Sequence, residues 1–173
     1  MRGFSSPVFF LNIEFFITEG IDNEKMLRYQ ENNELHRDFH GTTNTTLNYI
    51  AENYGVDALK ALLRKTGHDV YKSIRVKLEK GDASELIEHL NWFFYRENGK
   101  FQLTVDGNEI RFEVFECPAH KHLKSLGMEI SPYSCLQTSE VNAGMCEGTC
   151  WTSSVEILGE GHCMQIFRKK VDK

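Results

Sequence analysis

The stretch that decides the fold is FQLTVDGNEIRFEVFEC, residues 101–117. From Phe101 to Val105 and again from Ile110 to Cys117, apolar and polar residues alternate, the period of a half-buried strand. Between them Asp106-Gly107-Asn108 is a hairpin turn. In the second strand Ile110, Phe112 and Val114 share one face, and Arg111, Glu113, Phe115 and Cys117 share the other. From near Asn23 up to this hairpin the apolar residues repeat at helical spacing. A helical pattern runs from near Asn23 through Met26, Tyr29, Leu35 and Phe39, with Gly41 as a bend or break. Leu47, Ile50, Ala51 and Tyr54 mark a second helix, closed by Gly55. Val56 to Lys80 reads as one helix with an interruption at Gly67, and Gly81 as its stop. Asp82 and Glu85 open another, which ends at Asn98-Gly99. After the hairpin, Pro118 starts a short helix to Gly127, Ser131-Pro132 opens one to about Glu147, and a second hairpin pairs 151–158 with 163–169 around Gly159-Glu160-Gly161.

The expectation is an α+β fold: a helical N-terminal half packed on an antiparallel sheet built from C-terminal hairpins. The chain of 173 residues is long enough for one core, so 1–173 reads as a single domain in which residues 1–22 form an extended apolar arm. Hydrophobic residues are 40% and charged residues 26%, a globular balance, and 13 Gly and 3 Pro exclude collagen and broad disorder. A net charge of −5 leaves no basic field, so nucleic acid is not an expected partner. No apolar run approaches the roughly 18 residues of a membrane helix. The longest, Val8 to Ile17, contains Asn12 and Glu14 and makes a poor secretory signal, since only Arg2 precedes it. The five cysteines are odd in number and crowd into the last third, which argues against a disulfide framework. A cytoplasmic protein with no membrane partner is expected, with a homo-oligomer allowed.

Several residues are candidates for chemistry. His36 and His40, four apart, project from one side of a helix, and Asn44 continues that side. Cys117 sits where a strand ends and a helix begins. There backbone N–H groups favour the thiolate, and His120 is near enough in sequence to act as base. From Cys135 onward, Cys135, Ser139, Asn142 and Cys146 form one helical stripe. It is small and polar, so it either faces water or lines a pocket, with Gln137, Thr138, Glu140 and Asn142 as hydrogen-bonding groups for a small polar ligand. Cys163, Gln165 and Phe167 share a strand face. If strand and helix stripes converge, Cys117, Cys135 and Cys163 form a credible zinc site, although no tight Cys-x2-Cys knuckle is present. Cys146 and Cys150 read as structural or as a spare redox pair.

The segments FEVFECPAHKHLKSLG (112–127), SCLQTSEVNAGMCEGT (134–149) and VEILGEGHCMQIFRK (155–169) together resemble the L-2-amino-thiazoline-4-carboxylate hydrolase family. The likeness lies in a Cys-Pro at a strand end, a Cys-bearing helix and a Gly-His-Cys strand. The helical half, with HRDFHG and a Tyr-Gly followed by VYK, is similar to the N-terminal part of some members. The final hairpin also resembles 4-vinyl-reductase-type sensor domains, an α+β class that binds small molecules and in some cases holds zinc through cysteines. The first resemblance implies hydrolysis of a cyclic amidine at a C–N bond, with Cys117, Cys135 and Cys163 at the matching positions. In that chemistry a thiolate or metal-bound hydroxide attacks, His36, His40 or His120 carries the proton, and helix-start amides hold a carboxylate. The second implies a binding module without turnover. The two agree on fold and disagree on function.

Overall fold

The computed structural model describes residues 38–170. The expected arm over 1–22, the helix beginning near Asn23 and His36 lie outside the described residues, and so does part of the expected single domain. The described elements are helices α1 (Asp38–Tyr54), α2 (Val56–Val70), α3 (Lys72–Glu79) and α4 (Ser84–Arg96), then strands β1 (Lys100–Asp106) and β2 (Glu109–Glu116). Helices α5 (Pro118–Ser125) and α6 (Ser134–Cys146) follow, and the hairpin β3 (Trp151–Gly159) and β4 (His162–Lys169) closes the order. Helices precede and intersperse two hairpins, and all strand pairs are antiparallel, so the fold is α+β.

Two expected helix boundaries are corrected. Gly41 does not break α1, because a helix tolerates glycine at a modest entropic cost and nothing here diverts the chain. The long helix over 56–80 is two helices, divided where Tyr71 leaves helical geometry at φ −96° and ψ 31°. That turn allows Ile74 and Leu78 of α3 to join Leu59 and Leu63 of α2 in one core. Helix α3 ends as expected at Gly81, whose φ of +79° suits only a residue without a Cβ. Gly81 N–H donates to Leu78 O and Asp82 N–H to Lys77 O, both at 3.0 Å, the paired bonds of a Schellman stop. Asp82 Oδ1 accepts the Ser84 N–H at 2.9 Å from one residue before the N-cap position of α4, which is Ala83 rather than the expected Asp82.

The strands lie in the order β1-β2-β4-β3. Phe112 of β2 stands opposite Leu103 of β1 and Gln165 of β4, and Ile110 opposite Val105 and Phe167. These inward residues meet the helices, and Ile110, Phe112, Val114 and Phe167 are fully buried with Leu59, Leu78 and Leu86. Each such side chain contributes about 1.5–3 kcal/mol by leaving water. Phe94 of α4 packs edge-on to Phe112 at 4.7 Å between ring centres and to Phe101 at 5.9 Å, which anchors α4 on the β1–β2 hairpin.

Helix α6 lies between α2 and the sheet. On one side Asn142 Nδ2 donates to Gln165 Oε1 of β4 at 2.9 Å. On the other, glycines bring two backbones together. A Cβ on Gly144 would stand 2.1 Å from Arg64 O, and one on Gly67 would stand 2.2 Å from Val141 O. The contact is reciprocal, each helix supplying one glycine and one carbonyl. Gly67, read from sequence as an interruption, is the close-approach point of a continuous helix. Among the described residues no helix is long and apolar enough to cross a membrane.

Candidate functional site

Three elements bring thiols to one end of the inner sheet face. Cys163 is the second residue of β4, opposite Val114 of β2 and Ile157 of β3, which turns it inward. Cys117 follows β2, and its N–H donates to Gly161 O at 2.9 Å, tying the end of β2 to the β3–β4 turn. Pro118 then occupies the first turn of α5, where its missing N–H costs nothing. Gly161, at φ +70°, passes close to Cys117 and His120: a Cβ there would lie 3.5 Å from His120 Cβ. Cys135 is the second residue of α6. The three thiols are free, partly buried and near enough that charge on one is felt by the others.

Burial governs the protonation of Cys117 and Cys163. It pushes the Cys117 thiol up, and the amides of His120 and Ala119 at the start of α5 pull less strongly the other way. Cys163 is pushed up to about 11, by burial first and then by Cys117 and Cys135. His120 is held below its ordinary value, again by burial, with Glu160 opposing and Lys124 adding. The expected thiolate at Cys117 is therefore corrected: the helix-start amides are in place, but the loss of water outweighs them. At neutral pH Cys117 and Cys163 are protonated and His120 is uncharged.

His120 Nε2 lies 3.1 Å from Ser134 Oγ, joining the starts of α5 and α6. Ser134 Oγ is 3.9 Å from Cys135 Sγ, and Gln165 Nε2 points at Cys163 Sγ at 4.0 Å. Ser134 is not among the side chains expected from the sequence, and Gln165 is expected there only to share a strand face with Cys163. The signal for Ser134 was its position beside Cys135 at a helix start. For Gln165 it was a polar residue on an otherwise apolar strand face.

Other expected site residues serve the fold. The zinc site of Cys117, Cys135 and Cys163 is not formed: among the described residues no group of three His, Cys, Asp or Glu side chains is placed to hold a metal ion. His40 does not join the thiols; it is buried against Glu97, Nε2 to Oε2 at 3.5 Å, with the Phe39 and His122 rings beside it. Asn44 is also buried. Its Nδ2 donates to Glu129 O at 2.9 Å and its Oδ1 accepts the Ser131 N–H at 2.7 Å, which fastens the 127–133 loop to α1. Asn142 is committed to Gln165, and Glu140 takes the Arg64 guanidinium of α2. Gln137 is exposed and Thr138 half-buried on the same helix. The small residues of α6 are accounted for by packing on both sides. Cys146 is buried, its thiol pushed up to about 11, and Cys150 Sγ donates to Leu78 O at 3.2 Å, so both are structural.

Compared with known proteins, the chain matches no family, no curated protein and no solved structure.

Proposed function

We propose that the protein binds a small, uncharged or weakly polar molecule at the thiol-lined end of its inner sheet face. The observation that carries this reading is the meeting of Cys117, Cys135 and Cys163, from three different elements, beside Ile157. Ile157 faces inward yet is 52% exposed, whereas Trp151 at the other end of the same strand is 4% exposed. Apolar surface with a few polar groups is the ordinary make-up of a ligand site. Protonated thiols and a neutral imidazole suit a ligand without formal charge. Reduced thiols fit a reducing compartment such as the cytoplasm. The probe is 2-aminothiazoline with neutral sulfur and nitrogen heterocycles, read by ligand-detected NMR on wild type and Cys163→Phe. Binding by wild type that is lost in a folded Cys163→Phe supports the site. Equal binding by both, or none by wild type, overturns it.

A second reading, hydrolysis of a cyclic amidine at its C–N bond, is favoured by the His120–Ser134 contact and by the resemblance of the cysteine segments. An uncharged imidazole is the form that accepts a proton. In this reading Cys117 or Cys135 is the nucleophile and His120 the base. The assay is turnover of L-2-amino-thiazoline-4-carboxylate by wild type, Cys117→Ser, Cys135→Ser and His120→Gln. A true nucleophile loses several orders of magnitude on substitution, and a silent wild type removes this reading while leaving the first to its own test.

A further inference from the structure

Strand β3 is an edge of the sheet, and from Trp151 to Ile157 it lacks most of the features that usually protect one; its register shifts only beyond that, between Ile157 and Gly159. Edge strands carry unpaired N–H and C=O groups, and proteins blunt them with lysine, proline, shortness or a cover. The opposite edge, β1, is seven residues long with Lys100 and Asp106 at its ends. By contrast β3 is nine residues long, has no proline or lysine, and carries Glu156 as its one charge. Among the described residues no backbone hydrogen bond leaves its far side. Thr152, Ser154 and Glu156 are exposed, and the strand runs out into Ile157 and Leu158, 52% and 45% exposed.

We propose that a second copy of this chain pairs along β3, antiparallel about a two-fold axis at Ser154, so that two four-stranded sheets become one of eight strands. The sequence of the strand is complementary to itself in this register. Ser154 faces Ser154 of the other copy, Ser153 faces Val155, Thr152 faces Glu156, and Trp151 reaches Ile157. Every pair joins inner face to inner face or outer to outer, so the core sides of the two sheets are continuous. The single charge never meets itself. Glu156 of one copy falls in the row of Thr152 and Arg168 of the other, because Thr152 stands opposite Arg168 on β4; Arg168 also holds Glu109 of β2, so the guanidinium would stand between two acids. Centring the axis on Glu156 would oppose two carboxylates, which is unfavourable. The exposed Ile157 is brought beside the Trp151 end of the neighbouring strand.

The test is the solution mass of the full chain by light scattering at tens of micromolar, for wild type, Ser154→Lys, Ser154→Glu and an equimolar mixture of the two variants. Position 154 is exposed, so circular dichroism should show all three folded. The expected results are twice the chain's 20.0 kDa for wild type, a monomer for each variant alone because like charges meet on the axis, and a dimer restored in the mixture. A monomeric wild type overturns the proposal. A dimer that survives Ser154→Lys shows that another surface is used, and failure of the mixture to re-form a dimer rejects the register.

Discussion

Gly144 and Gly41 are both glycines inside helices, and the structure assigns them opposite responses to the same change. At Gly144 an added methyl would meet the Arg64 carbonyl at 2.1 Å, and backbone has no rotamer with which to yield. Gly144→Ala should therefore destabilise the protein by about 1–3 kcal/mol, the usual cost of overpacking. At Gly41, among the described residues, the same methyl meets only the Met128 side chain at 3.8 Å, an ordinary contact. Gly41→Ala should stabilise by about 0.5–1 kcal/mol, because alanine loses less backbone freedom in a helix. Urea denaturation of the two variants measures both signs. The thiols and His120 give a second residue-scale prediction. Cys163 and Cys146 titrate near 11 in the folded protein and Cys117 is also raised, so the unfolded chain loses these protons first. Stability from these groups is whole below the ordinary thiol range near 9 and should fall as pH climbs from 9 through 11. His120 works in the opposite direction. Its folded value lies below 6.5, so its contribution is present above that pH and lost as pH drops through the folded value. Thermal melts across pH 5–10.5, repeated on His120→Gln and Cys163→Ala, separate the acid and alkaline arms.

Among the elements, α5 and α6 depend most on single polar contacts. The 127–133 connection between them is held by Asn44 through one donor and one acceptor. Asn44→Ala leaves the Glu129 carbonyl and the Ser131 N–H without that partner, and should cost about 1–3 kcal/mol. Hydrogen exchange at Ser131 should quicken more than at the strands if the effect is local. What was legible in the sequence follows the same division. Period-two alternation over 101–117 gave β1 and β2, because one buried face imposes that rhythm on any half-solvated strand. Helix α6 was harder to read. Its small stripe suggests a pocket, but a helix covered on both sides has no polar side to contrast with an apolar one, and glycine looks the same whether it loosens a helix or seats it. The thiol cluster was legible as a convergence, since strand and helix faces fix where Cys117, Cys135 and Cys163 point. The protonation of Cys117 and Cys163 was not, because desolvation depends on packing that no spacing encodes.

At the scale of the whole molecule the sheet is closed at one end and open at the other. Trp151 and Phe167 are buried at the end nearest α6's C-terminus, while Ile157 and the thiols lie at the end where α5 and α6 begin. Strands β2 and β4 are paired on both sides, and β1 on one. Amide exchange should therefore be slowest at Phe112, Val114 and Gln165 and faster by at least roughly tenfold along β1, since edge pairs open without global unfolding. A flat exchange profile across the sheet would contradict this order. The glycine contact between α2 and α6 bears on that open end. Gly144 fixes α6 part-way along its length, and Cys135 lies nine residues before it, roughly 13 Å at the α-helical rise. Together with Val141 on Gly67 this holds one stretch of the helix, and the turns before it form an arm. A load on that arm would meet backbone against backbone where α6 crosses α2, with no side chain at the crossing able to yield.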